Sequence, residues 1–499
     1  MKVAVAGERD GAPHAEPAPS PPAAPRTSVA RHGGIYLVAR FASDALGLVA
    51  LGVYTRVLSP GEYGTYAMVI ATSALVHAVL YNWLSLGVAR FLPEQRGTYE
   101  RFLASALAAF AAITAVITIV GVAASLFWPD RSARPLFALG TGLLVVHAWF
   151  EMNLEVARAQ LAPGRYALLS AAKGAISLAV GVYLAHQGWG ARGLLAGLIV
   201  SMLVVGGWGS RKHWPRMRLA DVDREVVGRV FRYGAPLTGV LLASFIVDSS
   251  DRLLLGTMAG ADAAGVYSAS YVLAKQGIII LMLPVALATF PVAVRAMSER
   301  GLAAAQAELQ RGAVLLLALS VPGTVGLMIL APSVAHVFLG PEFRAQGGAI
   351  LPIVAFAVFL LGMQQYHFGR AFTLSKNTWL GIWPTGVAAA VNLGLNLLWI
   401  PRWGVMGALY ATVAGYGVSV LLTWWIGLRL FPLPFPTRES LRIALAAGVM
   451  AAALVPVMSG RGPWALGGQV ALGAAVYGAA ALAMNVAGAR GRLSAWRTR

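Results

Sequence analysis

The sequence has no cysteine and few charged residues, and both shortages narrow what the protein can be. Without cysteine, the chain can form neither disulfide bonds nor thiolate metal sites. Only 12% of its 499 residues are charged, whereas 58% are hydrophobic. A typical soluble domain carries about 25% charged residues, so this composition predicts a protein that crosses a membrane several times.

Acidic residues are the scarcer charged type, since 20 Asp and Glu stand against 39 Lys and Arg, for a net charge of +19. The basic residues flank apolar runs rather than forming one patch, so we expect anionic membrane lipids as partners and no nucleic acid. Residues 1–31 are rich in Pro and Ala and lack the apolar core of a signal peptide. We interpret them as a disordered cytoplasmic tail.

Long apolar segments recur along the rest of the chain. At about 20 residues each, they can cross about 30 Å of hydrocarbon. A membrane-spanning segment has no water to satisfy its backbone groups, so it must be a helix or a strand of a closed barrel. Because apolar and polar residues do not alternate strictly along these segments, we predict transmembrane helices. The sequence contains about fourteen such segments, at 33–57, 65–89, 102–127, 136–157, 166–186, 190–209, 234–256, 265–291, 312–338, 348–371, 378–400, 405–428, 440–458 and 464–487.

The orientation follows from the Lys and Arg residues in the loops. If the N-terminus is cytoplasmic, the loops and tails on that side hold 28 of them and those outside hold 8. Cytoplasmic loops carry the excess of basic residues in membrane proteins, so we predict that both termini are cytoplasmic. Three basic residues lie inside the apolar segments, namely Arg40, Lys173 and Lys275.

Two motifs occur twice. Gly64-Thr65-Tyr66 returns as Gly265-Val266-Tyr267, 201 positions later, and Trp189-Gly190 returns as Trp403-Gly404, 214 positions later. These repeats predict two lobes of six helices each. Because six is even, the lobes share one orientation, and their pseudo-two-fold axis follows the membrane normal, with a substrate cleft between them.

The repeat also predicts how the chain is divided. The tail is followed by an N-terminal six-helix lobe, a basic cytoplasmic linker and a C-terminal six-helix lobe. Two additional helices and a basic cytoplasmic tail complete the chain. The predicted boundaries are 1–31, 32–209, 210–232, 233–430 and 431–499.

Several stretches resemble bacterial polysaccharide flippases. They are TRVLSPGEYGTYAM (55–68), LGVARFLPE (86–94), RYGAPL to AAGVYSASY (232–271) and VNLGLNLLWIPRWGVMGALYATVAGYG (391–417). The resemblance implies the all-α, MATE-like fold that these flippases share with multidrug exporters. It also implies transport of a polyprenyl-diphosphate-linked oligosaccharide to the outer leaflet of the bacterial inner membrane, for surface polysaccharide or exopolysaccharide synthesis, with glycan-assembly proteins as further partners.

Two alternatives remain at this stage. One is an ion-coupled multidrug exporter of the same fold, whose cleft should be anionic rather than cationic. The other is a membrane-embedded glycan polymerase or ligase. The predicted outer connections are short and no nucleophile–base pair stands out, so we expect a protein that is not an enzyme and has no cofactor.

The candidate substrate-binding residues are the charged groups within the membrane. Arg40 has Asp44 four residues later on the same helical face, which allows either a structural ion pair or a phosphate-binding guanidinium. The resemblance implies that basic residues on helices 1 and 8 bind the diphosphate, and Arg40 and Lys275 lie on those two helices. Lys173, in the fifth segment, is a further candidate.

Other polar residues suggest secondary roles. Asp248 is the candidate for binding a coupling H⁺ or Na⁺, and Asp251 with Arg252 is expected to form an ion pair at the membrane interface. Gln364 and Asn392 could hydrogen-bond a sugar, although such residues often join helices. His147, Glu151 and Glu155 form an i, i+4, i+8 stripe that could be a metal site or a proton relay. We expect no metal there, and we expect Glu155 to pair with Arg158 near the inner surface.

Overall fold

The computed structural model of the protein describes residues 26–95, 98–131, 133–211, 214 and 221–491, apart from the side chains of 26–37, 39, 40, 240 and 244. Most of the predicted tail and much of the predicted linker lie outside these residues. In the described part, every regular element is helical. The first half contains α1 (Arg26–Val57), α2 (Pro60–Leu80), α3 (Asn82–Phe91), α4 (Tyr99–Phe127), α5 (Arg134–Ala159), α6 (Pro163–Leu184) and α7 (Gly190–Ser210).

The first α-helix after the undescribed part of the linker, α8, starts at Arg224, inside the predicted linker 210–232. Asp223 caps this start, since its side chain accepts a hydrogen bond from the Glu225 backbone. The remaining helices are α8 (Arg224–Met258), α9 (Ala261–Arg300), α10 (Leu302–Ile329), α11 (Ala331–Phe338), α12 (Pro341–Met363), α13 (Arg370–Leu374), α14 (Ile382–Trp403), α15 (Val405–Leu430), α16 (Thr437–Leu454) and α17 (Pro463–Ala483).

The predicted count of fourteen spans is not confirmed. Among the described residues, eleven helices are long and apolar enough to cross a membrane, or twelve if the bent helix α8 counts as one span. One of the eleven, Pro163–Ser210, is 48 residues long and contains two predicted segments. This stretch is a hairpin of α6 and α7, because the backbone turns at Gly188 and Gly190, where φ is positive and non-helical. The all-helical membrane fold itself is confirmed.

The repeated Trp-Gly motifs adopt the same backbone conformation. Gly190 has φ 49° and ψ −131°, and Gly404 has φ 53° and ψ −127°. A positive φ is unfavourable for residues with a Cβ, which explains glycine at both turns. Three residues later, Gly193 and Gly407 each lie against the backbone of the preceding helix, where a side chain would not fit. The hairpins α6–α7 and α14–α15 are therefore built alike.

The other repeated motif forms a contact between the two halves. A methyl group on Gly64 would overlap the Ala261 carbonyl, and one on Gly265 would overlap the Pro60 carbonyl. Helices α2 and α9 thus cross with their backbones touching, where only glycine fits. We call this end of the bundle, where α1 turns into α2, the turn end.

Polar contacts close the turn end further. The Gly340 backbone N–H donates to Thr55 Oγ1 at 2.9 Å, and Arg56 Nη2 donates to the Val337 carbonyl at 2.6 Å. Helix α2 starts here with a capping box, in which Ser59 and Glu62 satisfy each other's backbone N–H groups. The end is held by these backbone and capping interactions together with a buried apolar core that includes Leu58, Tyr63, Val266, Leu339 and Phe343.

The halves also meet at the opposite end, through α3 and α8. Gly234 lies against the Trp83 carbonyl, which leaves no room for a side chain. Aromatic rings pair across the same contact, Trp83 with Phe231 at 5.2 Å and Phe91 with Tyr233 at 5.4 Å between ring centroids. Space for a site remains between these two end contacts.

Helices α16 and α17 pack on one side of the second half. Ser333 Oγ donates to the Gly460 carbonyl at 2.9 Å, and the Tyr477 hydroxyl donates to the Ala318 carbonyl at 2.8 Å. The inner face of α16 is apolar and buried, at Ile443, Ala446, Ala447 and Met450. These helices line neither of the cavities described below.

Candidate functional site

Two cavities lie between the halves. The small cavity, about 450 Å³, is lined by α1, α2, α5, α6, α7, α8 and α9 and reaches Tyr63 beside the Gly64 contact. The large cavity, about 700 Å³, reaches Asn82 and Leu241 in the opposite direction. Glu151 of α5 lines both cavities.

The large cavity contains an ion pair between α8 and α9. Lys275 Nζ lies 2.6 Å from Asp248 Oδ1 and 2.7 Å from Oδ2, so one ammonium binds both carboxylate oxygens. The Tyr271 hydroxyl also donates to Asp248, at 2.6 Å, and contacts the Tyr416 hydroxyl at 2.7 Å. The side chains of Lys275 and Asp248 are 36% and 30% exposed. This exposure faces the cavity, where a ligand could reach both charges.

The predicted pairing of Asp251 with Arg252 is wrong, because their side chains point into different surroundings. Arg252 lines the small cavity, and its guanidinium lies 5.1 Å from the centre of the Tyr271 ring. Its buried Nε has no hydrogen-bond partner among the described residues. Arg252 is thus a cation held over an aromatic ring at the cavity wall.

Asp251 is instead buried within the second half. Its carboxylate accepts hydrogen bonds from the Tyr267 hydroxyl at 2.5 Å, Thr412 Oγ1 at 2.6 Å and Asn396 Nδ2 at 2.5 Å. Sequence reasoning missed this cluster. The available signals were an acidic residue one helical turn after Asp248 and two asparagines spaced by four in a later helix.

Asn392 joins helices in the structure. It is fully buried, and its Oδ1 accepts from Ser250 Oγ at 3.3 Å and from Asn396 Nδ2 at 3.2 Å. It belongs to neither cavity lining. We therefore leave Asn392 out of the proposed site, because a sugar in these cavities would not reach it.

The other predicted residues lie nearer the cavities. Gln364 lines the large cavity from a wide helical turn between α12 and α13. Lys173 lines the small cavity with its ammonium 5.3 Å from the centre of the Phe150 ring, and Asp44 lines the same cavity. Arg40 lies on α1, and its side chain falls outside the described residues.

The first half contributes titratable groups to the large cavity. His77 of α2 and His147 of α5 have ring centroids 4.8 Å apart, and His147 Nε2 lies 3.6 Å from Glu151 Oε1. Glu155 lies one turn further along α5 and pairs with Arg158 Nη1 at 2.5 Å, which confirms that predicted pair. The predicted stripe therefore divides into a cavity part, His147 and Glu151, and a structural part, Glu155.

The expected excess of cations is not found in the described linings. Together they contain three basic and three acidic side chains, namely Lys173, Arg252 and Lys275 with Asp44, Glu151 and Asp248. Each lysine shares its cavity with a carboxylate, because an unpaired charge in a membrane interior is costly. Net charge alone therefore does not separate an anionic from a cationic cargo.

The chain is similar in sequence to proteins of polysaccharide synthesis and transport. A family model described as a polysaccharide biosynthesis protein matches residues 53–346. A probable flippase, AglR of Haloferax volcanii, is 24% identical over 369 residues, covering 70% of this chain and 74% of that protein.

Solved transporters share the fold. The lipid II flippase MurJ in its inward closed conformation superposes with a TM-score of 0.73 at 13% identity, covering 90% of this chain and 98% of MurJ. An inward-facing multidrug resistance MATE family transporter of the MOP superfamily superposes with a TM-score of 0.63 at 18% identity, covering 78% of this chain and 95% of that transporter. These relatives are flippases and transporters rather than enzymes, in agreement with the prediction that the chain is not an enzyme.

Proposed function

Because the chain belongs to the polysaccharide biosynthesis protein family, we propose that it is a flippase for a saccharide linked to polyprenyl diphosphate. In this proposal it carries the saccharide from the cytoplasmic to the outer leaflet of the bacterial inner membrane. The relationship to the probable flippase AglR supports the type of transport. The fold shared with MurJ and MATE transporters supports a mechanism of alternating access.

The observation that carries the proposal is the pair of cavities between the halves, which meet at Glu151. Both are lined by charged side chains in the middle of apolar helices. A charge in hydrocarbon costs at least about 2.5–3.5 kcal/mol, so these charges belong to a hydrated passage. Such a passage suits a polar saccharide and diphosphate, while the polyprenyl chain stays in the lipid.

We assign recognition of the diphosphate to the basic residues of both halves. Arg252 is well suited, because a guanidinium can hydrogen-bond two phosphate oxygens and its buried Nε is available. Lys275 contributes an ammonium when phosphate competes with Asp248 for it, and Lys173 contributes one from the first half. Arg40 is proposed as a further contact, and Gln364 as a contact to the saccharide.

In this mechanism the residues 32–209 and 233–430 move as two lobes. The Gly64–Gly265 crossing closes the turn end, and the α3–α8 contact closes the other. Opening these contacts in turn exposes the cavities to each side of the membrane. The basic linker and tail hold the cytoplasmic face on anionic lipid, and glycan-assembly proteins receive the cargo.

The test is a strain that lacks the gene. We expect lipid-linked saccharide to accumulate on the cytoplasmic leaflet, and mass spectrometry of the lipid extract identifies the cargo. Restoring the wild-type gene should clear the accumulation, whereas Lys275→Ala should not. Glu155→Gln, a change in the structural part of the α5 stripe, is the matched control and should behave as wild type. Normal lipid-linked saccharides together with lost drug efflux would support a multidrug exporter instead.

A further inference from the structure

Three titratable side chains form one cluster on the first-half wall of the large cavity. His77 and His147 come from different helices, and their rings lie 4.8 Å apart. Glu151 is one helical turn after His147, with 3.6 Å between His147 Nε2 and Glu151 Oε1. We call His77, His147 and Glu151 the histidine–glutamate cluster. The diphosphate recognition proposed above does not use it.

We propose that the histidine–glutamate cluster binds the proton that drives the transport cycle, an inference that rests on the proposed function. The sequence had offered Asp248 for this role, and a proton relay along His147, Glu151 and Glu155 as another possibility. Of these, Asp248 is held by Lys275 through two hydrogen bonds. An imidazole, by contrast, exchanges its proton close to neutral pH. The cluster therefore supplies an exchangeable proton site that the Asp248–Lys275 pair does not.

The position of Glu151 fits this role. A coupling ion must be reached from one side of the membrane and then from the other. Glu151 lines both cavities, and His77 and His147 line the large cavity alone. A proton arriving through the small cavity can bind Glu151, pass to the adjacent His147 and His77, and leave through the large cavity. The proton moves between existing lone pairs, so no covalent bond between heavy atoms changes.

The composition of the cluster limits it to one extra proton. Two imidazolium rings at this separation would repel each other, whereas one imidazolium is stabilised by the Glu151 carboxylate. A metal is a poor alternative, because the described residues contain no group of three or more acidic, His or Cys side chains arranged to hold a metal ion. His77 Nε2 is buried and lacks a hydrogen-bond partner in the described part of the chain, so no other side chain there already occupies this nitrogen.

Other charged and titratable groups face the cluster from the helices around it. The Tyr81 ring stacks on His77 with centroids 5.8 Å apart. Lys173 and Tyr166 of α6, with Arg252 of α8, share the small cavity with Glu151. Asp248, Lys275, Tyr366 and Tyr416 line the large cavity with all three members of the cluster. In the described linings, α4 and α7 contribute no titratable side chain.

The first experiment measures the proton directly and needs no cargo. The chain has 8 histidines, so NMR of full-length protein labelled at histidine Cε1 in detergent micelles is tractable, with His77→Gln and His147→Gln for assignment. We expect the two rings to bind one proton between them rather than one each. Glu151→Gln removes the charge that stabilises the imidazolium, so the midpoint should move to lower pH by half a unit or more.

Glu155→Gln removes a carboxylate from the same helix, outside both cavity linings, and should leave the titration unchanged. Histidines that stay neutral throughout, or that each bind a full proton independently, would overturn the proposal. An unchanged midpoint in Glu151→Gln would do the same.

A second experiment separates this inference from the proposed function. The protein is reconstituted in liposomes that contain a pH-sensitive dye, with lipid-linked saccharide purified from the deletion strain as cargo. We expect wild type to move protons when it moves cargo, and Glu151→Gln to lose at least ten-fold in cargo movement driven by a pH gradient. Cargo movement without proton movement would contradict the proposed proton site but not the proposed flippase function. No cargo movement by wild type would refute the proposed function and leave the NMR result standing.

Discussion

At the scale of single residues, the Asp248–Lys275 pair changes how the site is understood. The sequence suggested separate roles, a coupling carboxylate and a phosphate-binding ammonium. In the structure the two groups bind each other across α8 and α9. Their separation of 27 positions gives no helical register by which a sequence could pair them. An anionic cargo must therefore compete with Asp248 for Lys275.

Breaking the Asp248–Lys275 pair should destabilise the protein and stop transport. Lys275→Ala leaves the carboxylate with only hydroxyl and more distant cationic partners. We expect it to lower the free energy of unfolding by about 1–2 kcal/mol, less than the about 3–5 kcal/mol of a fully buried pair, because the cavity hydrates both groups. Thermal unfolding in detergent and the accumulation of lipid-linked saccharide measure the two effects.

The neutral double variant Asp248→Asn with Lys275→Gln separates stability from function. It leaves no unpaired charge, so stability should recover, whereas transport should stay lost because the ammonium is absent. Full transport by this double variant would contradict the role of Lys275 in the site.

Residue contacts within one helix could be predicted, and those between helices could not. Glu155 and Arg158 are three residues apart on α5 and pair as expected. Asp251 is bound by Asn396 and Thr412, which are 145 and 161 positions away on α14 and α15. A single sequence contains the helices but not the rotation that brings these faces together.

At the scale of elements, the repeated glycines were informative because each meets a steric requirement. Gly190 and Gly404 require a positive φ, and Gly64 and Gly265 allow two backbones to touch. Steric requirements of this kind can be recognised in a sequence. The start of α8 at Arg224 could not be recognised in the same way, because its polar, amphipathic sequence is also typical of a linker.

Alanine at the crossing should weaken the turn end. In Gly64→Ala or Gly265→Ala the new methyl group would overlap a backbone carbonyl, so α2 and α9 must separate. We expect each to lower the melting temperature in detergent by several degrees. Gly277→Ala is the matched control on α9, because its methyl group meets only ordinary contacts, and it should be neutral or slightly stabilising. Equal melting temperatures for all three variants would contradict the close crossing.

The last two helices allow a prediction about a whole element. Helices α16 and α17 line neither cavity and attach through a few polar contacts and the apolar face of α16. In a membrane, lipid can cover that face. A chain ending at Pro436 should therefore still insert, with reduced stability and part of its transport. Immunoblotting of membranes checks this, and complete degradation would show that the two helices are integral to the fold.

At the scale of the whole molecule, composition was enough to predict a helical membrane protein, but not the number of spans. The 48-residue stretch Pro163–Ser210 holds two apolar segments that turn back on each other at Gly188 and Gly190, and α8 bends by 51° between Ala243 and Phe245. Segment length and hydropathy alone therefore do not determine how many times the chain crosses the membrane. The division of the chain into lobes remains a prediction supported by the matching turns.

Orientation in the membrane can be tested by reporter fusions. The excess of Lys and Arg predicts that fusions at Gly209 and Gly488 report the cytoplasm. Fusions at Gly260 and Gly340, which lie at the turn end, should report the outside. A cytoplasmic signal from Gly260 would contradict both the orientation and the six-helix repeat.

The most direct test of the account is movement of the cargo itself by the purified protein. Lipid-linked saccharide is placed in both leaflets of liposomes, and an impermeant glycosidase is added outside. In protein-free liposomes about half of the saccharide should stay protected, because only one leaflet is exposed. With wild-type protein we predict that nearly all of the saccharide is digested within minutes. With the Asp248→Asn, Lys275→Gln double variant, about half of the saccharide should stay protected, as in protein-free liposomes. Protection that is the same with and without wild-type protein would contradict the claim that this chain is a flippase.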